Sequence, residues 1–445
     1  MIISIGVFMS TLDSSIVSIA NPTIAKSFSV TMQEVQWVIT AYILVIASTL
    51  IALGKLGDKY GSTKIFSLGF LIFALGSLFC SLSFNLSALV GARLVQALGG
   101  SMMMATGLGI ISHAFPSYER GIAFGITGSA VGLGQMAGPS IGGLLLTYFN
   151  WPIIFLINVP IGFIGFLISI RCLEKVNSQQ IEKIKALNII LFAMAISFLI
   201  LALSPNISMR SGLFILGASL LIVFYHVEKK GRSTILDFDL FTIKPFVYGC
   251  LMASCAYFAQ TSVIFLMPFY FENLLQLTPG QSGIFMTLLP VCLVITSPLA
   301  GKLSDQYGPG AITTIAFLLM LVSFLLLATL NQILNPAKII SGLVFLGVGM
   351  GLFGSPNNSS ILGSLPQEKV GYGGGFISTI RNVSFSFGIA ISVSLFSFLQ
   401  NHYYSYHDFT VAYYLALNKV YLLAAGISII GLILSLYSYS FRKKI

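Results

Sequence analysis

Charge is scarce in this 445-residue chain: Asp, Glu, Lys and Arg together make up 8% of it. Hydrophobic residues make up 56%, and the mean hydropathy is +0.94. There is too little polar surface to coat a water-soluble globule of this size, so the chain must live in lipid. Histidine is nearly absent, and His113, His226, His402 and His407 all fall near loops. No Gly-Lys-Ser/Thr phosphate loop and no His-Glu-x-x-His pair occurs, which removes two common signatures of enzyme chemistry. Cys80, Cys172, Cys250, Cys255 and Cys292 lie inside or at the ends of apolar segments without a histidine beside them. They are expected as reduced packing residues, and no metal site or cofactor is expected. The longest outer loop, about 401–418, is too short for the soluble domain of a receptor. The formal charge of +10 is scattered through short loops, so it does not point to nucleic acid.

Long apolar runs are what the chain does have. Stretches of roughly 20 residues recur, each long enough as a helix to cross about 30 Å of hydrocarbon. The short alternation of membrane-barrel strands is missing. Spans are expected near 2–25, 36–56, 65–83, 87–111, 121–147, 152–172, 186–204, 212–227, 246–272, 282–301, 311–330, 338–362, 372–400 and 419–440. The first carries Asp13 and runs to Pro22 with no small-residue cleavage site after it, so it reads as a span and not as a signal peptide. With Met1 inside, the cytoplasmic loops hold most of the Lys and Arg residues. The opposite loops hold only Lys26, Arg210, Lys338 and Lys419. That bias places both termini in the cytoplasm and favours an even number of spans.

The chain also repeats itself. Gly54-Lys55-Leu56-Gly57-Asp58-Lys59-Tyr60-Gly61 returns as Gly301-Lys302-Leu303-Ser304-Asp305-Gln306-Tyr307-Gly308, each copy after the second span of a six-helix half. The expected organisation is an N-terminal six-helix bundle at 1–173, a linker with two inserted helices at 174–245, and a C-terminal six-helix bundle at 246–445.

Four stretches carry a resemblance. Gly54 to Lys64 looks like a Gly-x-Leu-Ala-Asp-Arg-x-Gly-Arg-Lys loop, with Ser62 and Thr63 where the basic pair would stand. Leu12-Asp13-Ser14-Ser15-Ile16-Val17 with Ala20-Asn21-Pro22 resembles a first-helix motif, and Arg93-Leu94-Val95-Gln96-Ala97-Leu98-Gly99 a fourth-helix motif. Gly134-Gln135-Met136-Ala137-Gly138-Pro139-Ser140-Ile141-Gly142-Gly143 resembles a fifth-helix Gly-x-x-x-Gly-Pro-x-x-Gly-Gly antiporter motif. Together they resemble the major facilitator superfamily, and within it the fourteen-span drug:proton antiporters. The resemblance implies an all-α fold of two six-helix bundles with two extra helices. It also implies a multi-pass transporter in the cell membrane, driven by the proton gradient and exporting lipophilic cationic drugs or dyes, expected as a monomer.

The residues themselves narrow where chemistry would occur. Asp13 lies roughly 17 Å into its helix, where a carboxylate is expensive unless paired, hydrated or protonated. It reads as a proton-exchange and cation-binding group, or else as a structural carboxylate held by Ser14 or Ser15. Arg93 is its expected charge partner, linking protonation to shape, or else a static clamp. Glu272, ending the ninth span, is a second proton site, a cation attractor or a solvated helix end. The remaining acids, Glu228 among them, lie in or near loops, and most read as ordinary solvated charges. Trp37, Tyr42, Tyr257 and Tyr270 are candidate cavity aromatics for flat cations. Gln260 precedes the second Gly-Lys-Leu loop by the interval at which Asp13 precedes the first, so the second half carries an amide where the first carries the acid. Gly134, Gly138 and Gly142 form one smooth helix face for a close neighbour, with Pro139 as a bend. Gly143, Gly54, Asp58, Gly61 and Asp305 complete the conformational motifs, and Arg381 is assigned a structural role.

The leading expectation is therefore proton-coupled export of cationic compounds by alternating access. Export of a neutral lipid or metabolite, which needs no cavity carboxylate for substrate, is the alternative. A membrane enzyme or receptor is the rival from another class.

Overall fold

The computed structural model describes residues 1–114, 120–173, 186–203, 209–230, 238–366 and 370–442. The expected linker stretches 174–185 and 231–237 lie outside the described residues. Among the described residues every regular element is a helix. Lipid leaves a continuous apolar run little choice, because a helix satisfies its backbone hydrogen bonds within itself. In chain order these are α1 (Ile2–Phe28), α2 (Trp37–Tyr60), α3 (Ser62–Ser81), α4 (Leu86–Ala114), α5 (Arg120–Tyr148), α6 (Asn158–Cys172) and α7 (Ala186–Leu203). They continue as α8 (Arg210–Lys230), α9 (Lys244–Phe269), α10 (Pro279–Tyr307), α11 (Pro309–Leu327), α12 (Pro336–Leu362), α13 (Val370–Tyr404) and α14 (Phe409–Arg442). Short helices at Met32–Val35 and Ile153–Leu156 lead into α2 and α6, and a π-helical turn, Tyr270–Leu274, extends α9. Twelve of the described stretches are long and apolar enough to cross a membrane. The apolar stretch of α7, Ile190–Leu203, is shorter than these.

Local chemistry sets the ends of several helices, and does so twice. Thr31 and Glu34 close a capping box before α2, and Thr278 and Gln281 close another at the start of α10. After α2 the chain turns at Gly61 with φ 97°, and after α10 at Gly308 with φ 82°. Both angles lie where a side chain is strained, so glycine lets the next helix start at once. Capping boxes and turns are separated by the same interval as the two Gly-Lys-Leu copies, so the repeat in sequence is a repeat in backbone.

The chain forms two compact units, Met1–Asp237 and Phe238–Ile445. In the first, α3 packs on α4, α1 on α5, α2 on α4 and α3 on α6. In the second, α11 packs on α12, α9 on α13, α10 on α12 and α11 on α14. Small residues carry the close crossings. A Cβ on Gly76 would lie 2.5 Å from the Gln96 backbone, and one on Gly99 2.4 Å from the Phe73 nitrogen, so α3 and α4 touch backbone to backbone. In the second unit a Cβ on Gly388 of α13 would lie 2.8 Å from the Phe258 carbonyl of α9.

The helices α7 and α8 pair with each other, and α7 packs on α2 in the first unit. One acid here departs from expectation. Glu228, read from the sequence as a solvated loop charge, is fully buried near the end of α8 and accepts a hydrogen bond from Asn188 Nδ2 of α7. The expected eighth span stopped at 227, whereas α8 continues to Lys230 and brings Glu228 inside the hairpin.

Candidate functional site

Asp13 of α1 is held by side chains from two other helices. Arg93 of α4 places Nη1 2.5 Å from Asp13 Oδ2, and neither side chain has any exposed surface. Gln96 Nε2, one turn along α4, donates to Asp13 Oδ1 at 2.8 Å, and Asn158 Nδ2 of α6 donates to the same oxygen at 3.1 Å. Both carboxylate oxygens are therefore occupied. Gln96 is fixed in turn: its Oε1 accepts from Arg93 Nη1 at 2.6 Å and its Nε2 donates to Ser77 Oγ of α3 at 2.8 Å. Cys80 Sγ also donates to Gln96 Oε1, at 3.6 Å. The Ser14 and Ser15 hydroxyls do not hold Asp13. Ser14 donates to the Ser10 carbonyl, and Ser15 donates to the carbonyls of Leu12 and Gly134.

The rest of Arg93 is packed as closely. Its Nε donates to the Val38 carbonyl of α2 at 3.0 Å. Its guanidinium carbon stands 4.0 Å from the centre of the Tyr42 ring and 5.6 Å from that of Phe155. Tyr42 is itself fully buried, with its hydroxyl 3.0 Å from Ser10 Oγ. So Tyr42 roofs the arginine instead of standing open as a cavity wall. Two buried atoms of the cluster, Arg93 Nη2 and Asn158 Oδ1, have no hydrogen-bond partner among the described residues. A charge pair of this kind is strong only while its geometry holds, since desolvation of both ions has to be offset by it.

Behind Asp13, α1 rests on α5 through the expected glycine face. A Cβ on Gly138 would stand 1.8 Å from Ser15 Oγ and 2.9 Å from the Ile16 nitrogen. One on Gly134 would stand 2.2 Å from Thr11 Oγ1, and one on Gly142 2.6 Å from Ile16 Cγ1. Pro139 and Gly143 are buried on the same helix, and the Gly143 carbonyl accepts from Thr147. Gly54 is half-buried in α2 and Gly61 is buried at its end; the side chain of Asp58 lies outside the described residues. Trp37 is half-buried at the start of α2, outside this cluster of bonds.

In the second unit the expected residues are spread out. Gln260 is buried in α9 at the position matching Asp13. Tyr257, one turn earlier, is half-buried and stacks on Phe385 of α13, with ring centres 5.8 Å apart and planes at 30°. Tyr270 is fully buried and donates its hydroxyl to the Asn331 carbonyl at 2.7 Å, an anchoring role. Glu272 is 4% exposed, so it is not a solvated helix end. It sits in the π-helical turn after Pro268, a geometry frequent at functional sites. Asp305 is exposed near the end of α10. Arg381, half-buried in α13, has no hydrogen bond or ion pair among the described residues.

Sequence reasoning missed Gln96, Asn158 and Ser77 as partners of the Asp13 cluster. Gln96 was legible in principle, standing one turn from Arg93 on the same helix face. Asn158 and Ser77 are polar residues within apolar spans whose orientation only the fold reveals.

Comparison with known proteins finds relatives of the chain as a whole. The profile of the Major Facilitator Superfamily matches residues 3–389. The riboflavin transporter RibZ of Clostridioides difficile is 45% identical over 440 residues, covering 98% of this chain and 96% of the relative. The uncharacterized transporter YebQ of Escherichia coli is 31% identical, covering 87% of this chain and 86% of the relative. The multidrug resistance protein Stp of Mycobacterium tuberculosis is 28% identical, covering 87% and 73%. Among solved structures, a bacterial homolog of the lysosomal transporter Spinster matches with TM-score 0.69 at 14% identity, covering 99% of this chain and 96% of that one. A peptide transporter, POT, matches with TM-score 0.72 at 16% identity, covering 96% and 93%.

Proposed function

The chain belongs to the major facilitator superfamily, and from that premise we propose that it moves a neutral, planar heteroaromatic metabolite of riboflavin's chemical kind. It is a multi-pass membrane transporter and not an enzyme. The single observation that carries the reading is the sealed state of Asp13. A site that loads lipophilic cations needs a carboxylate its substrate can reach, and both oxygens of Asp13 are taken by Arg93, Gln96 and Asn158 with no exposed surface. A neutral substrate makes no such demand. The similarity to a riboflavin transporter over nearly the whole of both chains supports the same class. The multidrug relatives are more distant, so cationic export takes second place.

The finer features belong to this proposal. All fourteen helices cross the membrane, both termini are cytoplasmic, and the protein works as a monomer without a cofactor. Transport is driven by protons through the Asp13–Arg93 pair: a proton on Asp13 cancels its charge, weakens the pair and frees α1 from α4. The test is counterflow in liposomes carrying the purified protein and loaded with unlabelled riboflavin. Labelled riboflavin should enter above the level of protein-free liposomes, while ethidium, assayed in parallel, stays at background. Ethidium exchange without flavin exchange overturns the reading.

A further inference from the structure

Each unit carries an arginine within an apolar span, and the two stand in opposite conditions. Arg93 is fully buried and neutralised by Asp13. Arg381 lies eight residues into the apolar stretch Gly373–Tyr404, roughly 12 Å along the helix, and is bound to nothing among the described residues. A guanidinium at such depth must face protein or a wet cavity, and when its own chain supplies no partner it marks a place for one.

The neighbourhood says what kind of partner. Phe385, one turn beyond Arg381 on the same face of α13, is half-buried and stacks on Tyr257 of α9. The Phe353 ring of α12 stands edge-on to Tyr257, with centres 6.4 Å apart and planes at 80°. Space is open beside them. A Cβ added at Gly354 of α12, or at Gly374 of α13, which is two turns before Arg381 on its face, would meet no atom within 4 Å. An aromatic platform beside a free fork of N–H donors suits a flat ring whose edge bears carbonyl oxygens. It repels a flat cation.

We propose that Arg381, with the Tyr257–Phe385 stack, is the binding subsite for the carbonyl-bearing edge of a planar heteroaromatic substrate. The inference rests on the function proposed above. In a flavin that edge is the pyrimidine ring, whose C2 carbonyl oxygen and neighbouring N1 form an acceptor pair for the guanidinium N–H groups while the fused rings lie against the aromatic pair.

The test is flavin fluorescence quenching by the purified full chain in lipid nanodiscs, with riboflavin and with 2-thioriboflavin, whose sulfur is a weak acceptor. A hydrogen bond to a charged donor corresponds to roughly 10- to 100-fold in affinity. Arg381→Ala is expected to weaken riboflavin binding by about that factor, and Arg381→Lys by less. The wild type should bind the thio analogue more weakly than riboflavin, and Arg381→Ala should show little further loss with the analogue. A role confined to folding would lower both ligands equally, and that result overturns the subsite. So does riboflavin affinity unchanged in Arg381→Ala, an outcome that leaves the proposed function standing. If the wild-type protein quenches neither flavin, the proposed function fails and the subsite with it. Should Arg381→Ala not fold, Arg381→Lys and Tyr257→Leu carry the same comparison.

Discussion

Gly138 of α5 and Ser15 of α1 meet at a distance only glycine permits: a Cβ at 138 would stand 1.8 Å from Ser15 Oγ, 2.6 Å from Ser15 Cβ and 2.9 Å from the Ile16 nitrogen. The hydroxyl can rotate away, but the Cβ and the backbone behind it cannot. Gly138→Ala is therefore expected to destabilise the first unit by about 1–3 kcal/mol, the usual range for overpacking. Gly134→Ala should be similar, because the Phe8 carbonyl stands 2.9 Å from its Cβ. Gly142→Ala should be milder, since its nearest obstacle is Ile16 Cγ1, a side-chain atom that can shift. Thermal unfolding of the detergent-solubilised variants reads the order directly. Equal midpoints for all three would mean that α1 and α5 part easily. Gly138→Leu should insert normally yet stop transport.

Gly308 makes a cleaner case for backbone alone. Gly308 has φ 82° and ψ 149°, a region that is essentially glycine's, and a Cβ there would touch nothing within 4 Å. Gly308→Ala should lower stability by about 1–3 kcal/mol through strain without any clash. Asn, which eases left-handed helical turns, should give no rescue at this ψ. Recovery of wild-type stability by Gly308→Asn would show that the turn relaxes to another conformation.

Much of this fold was legible because lipid makes sequence speak plainly. Apolar run length predicts helices where no strand or loop can satisfy its backbone. The repeat of Gly54–Gly61 at Gly301–Gly308 was legible in the sequence, and the structure adds matching turns and capping boxes. The pairing of Asp13 with Arg93 was also expected, since two buried opposite charges have few other ways to be stable. What could not be read was rotation about each helix axis. Tyr42 looked like a cavity wall and is the cover over Arg93, and Tyr270 is tied to the Asn331 carbonyl. Polar residues in apolar spans, such as Asn158, gave no sign of the neighbour they serve. Glu228 was misjudged because three residues of helix decide whether an acid at a span end is wet or buried.

That buried acid makes its own prediction. Asn188→Ala removes a hydrogen bond between an amide and a buried acidic side chain that ties α7 to α8 at Glu228. The expected loss is about 1–3 kcal/mol, more than for Glu228→Gln, which keeps the size and an acceptor oxygen while dropping the charge. Limited proteolysis compared across the two variants checks it. Faster cleavage of the Glu228→Gln protein than of the Asn188→Ala protein would put the requirement on the charge and not on the hydrogen bond.

The last prediction separates stability from coupling at Asp13. Asp13→Asn leaves Arg93 charged, buried and unpaired, and breaking a buried ion pair from one side usually costs about 3–5 kcal/mol. Loss of transport in that variant would therefore be ambiguous by itself. The double variant Asp13→Asn with Arg93→Gln removes both charges, and amide-to-amide hydrogen bonds can take their place beside Gln96 and Asn158. Its stability is expected to recover well above that of either single variant, so the two effects should not add. If the pair couples protons to transport, the double variant should still exchange substrate down its gradient in counterflow, because exchange needs binding and movement but no proton. It should not accumulate substrate when a pH gradient is imposed. The measurements are unfolding midpoints for the cycle of four proteins, then counterflow and gradient-driven uptake for the wild type and the double variant. Gradient-driven accumulation by the double variant would remove Asp13 and Arg93 from coupling and leave Glu272, buried in its π-helical turn, as the acid to test next.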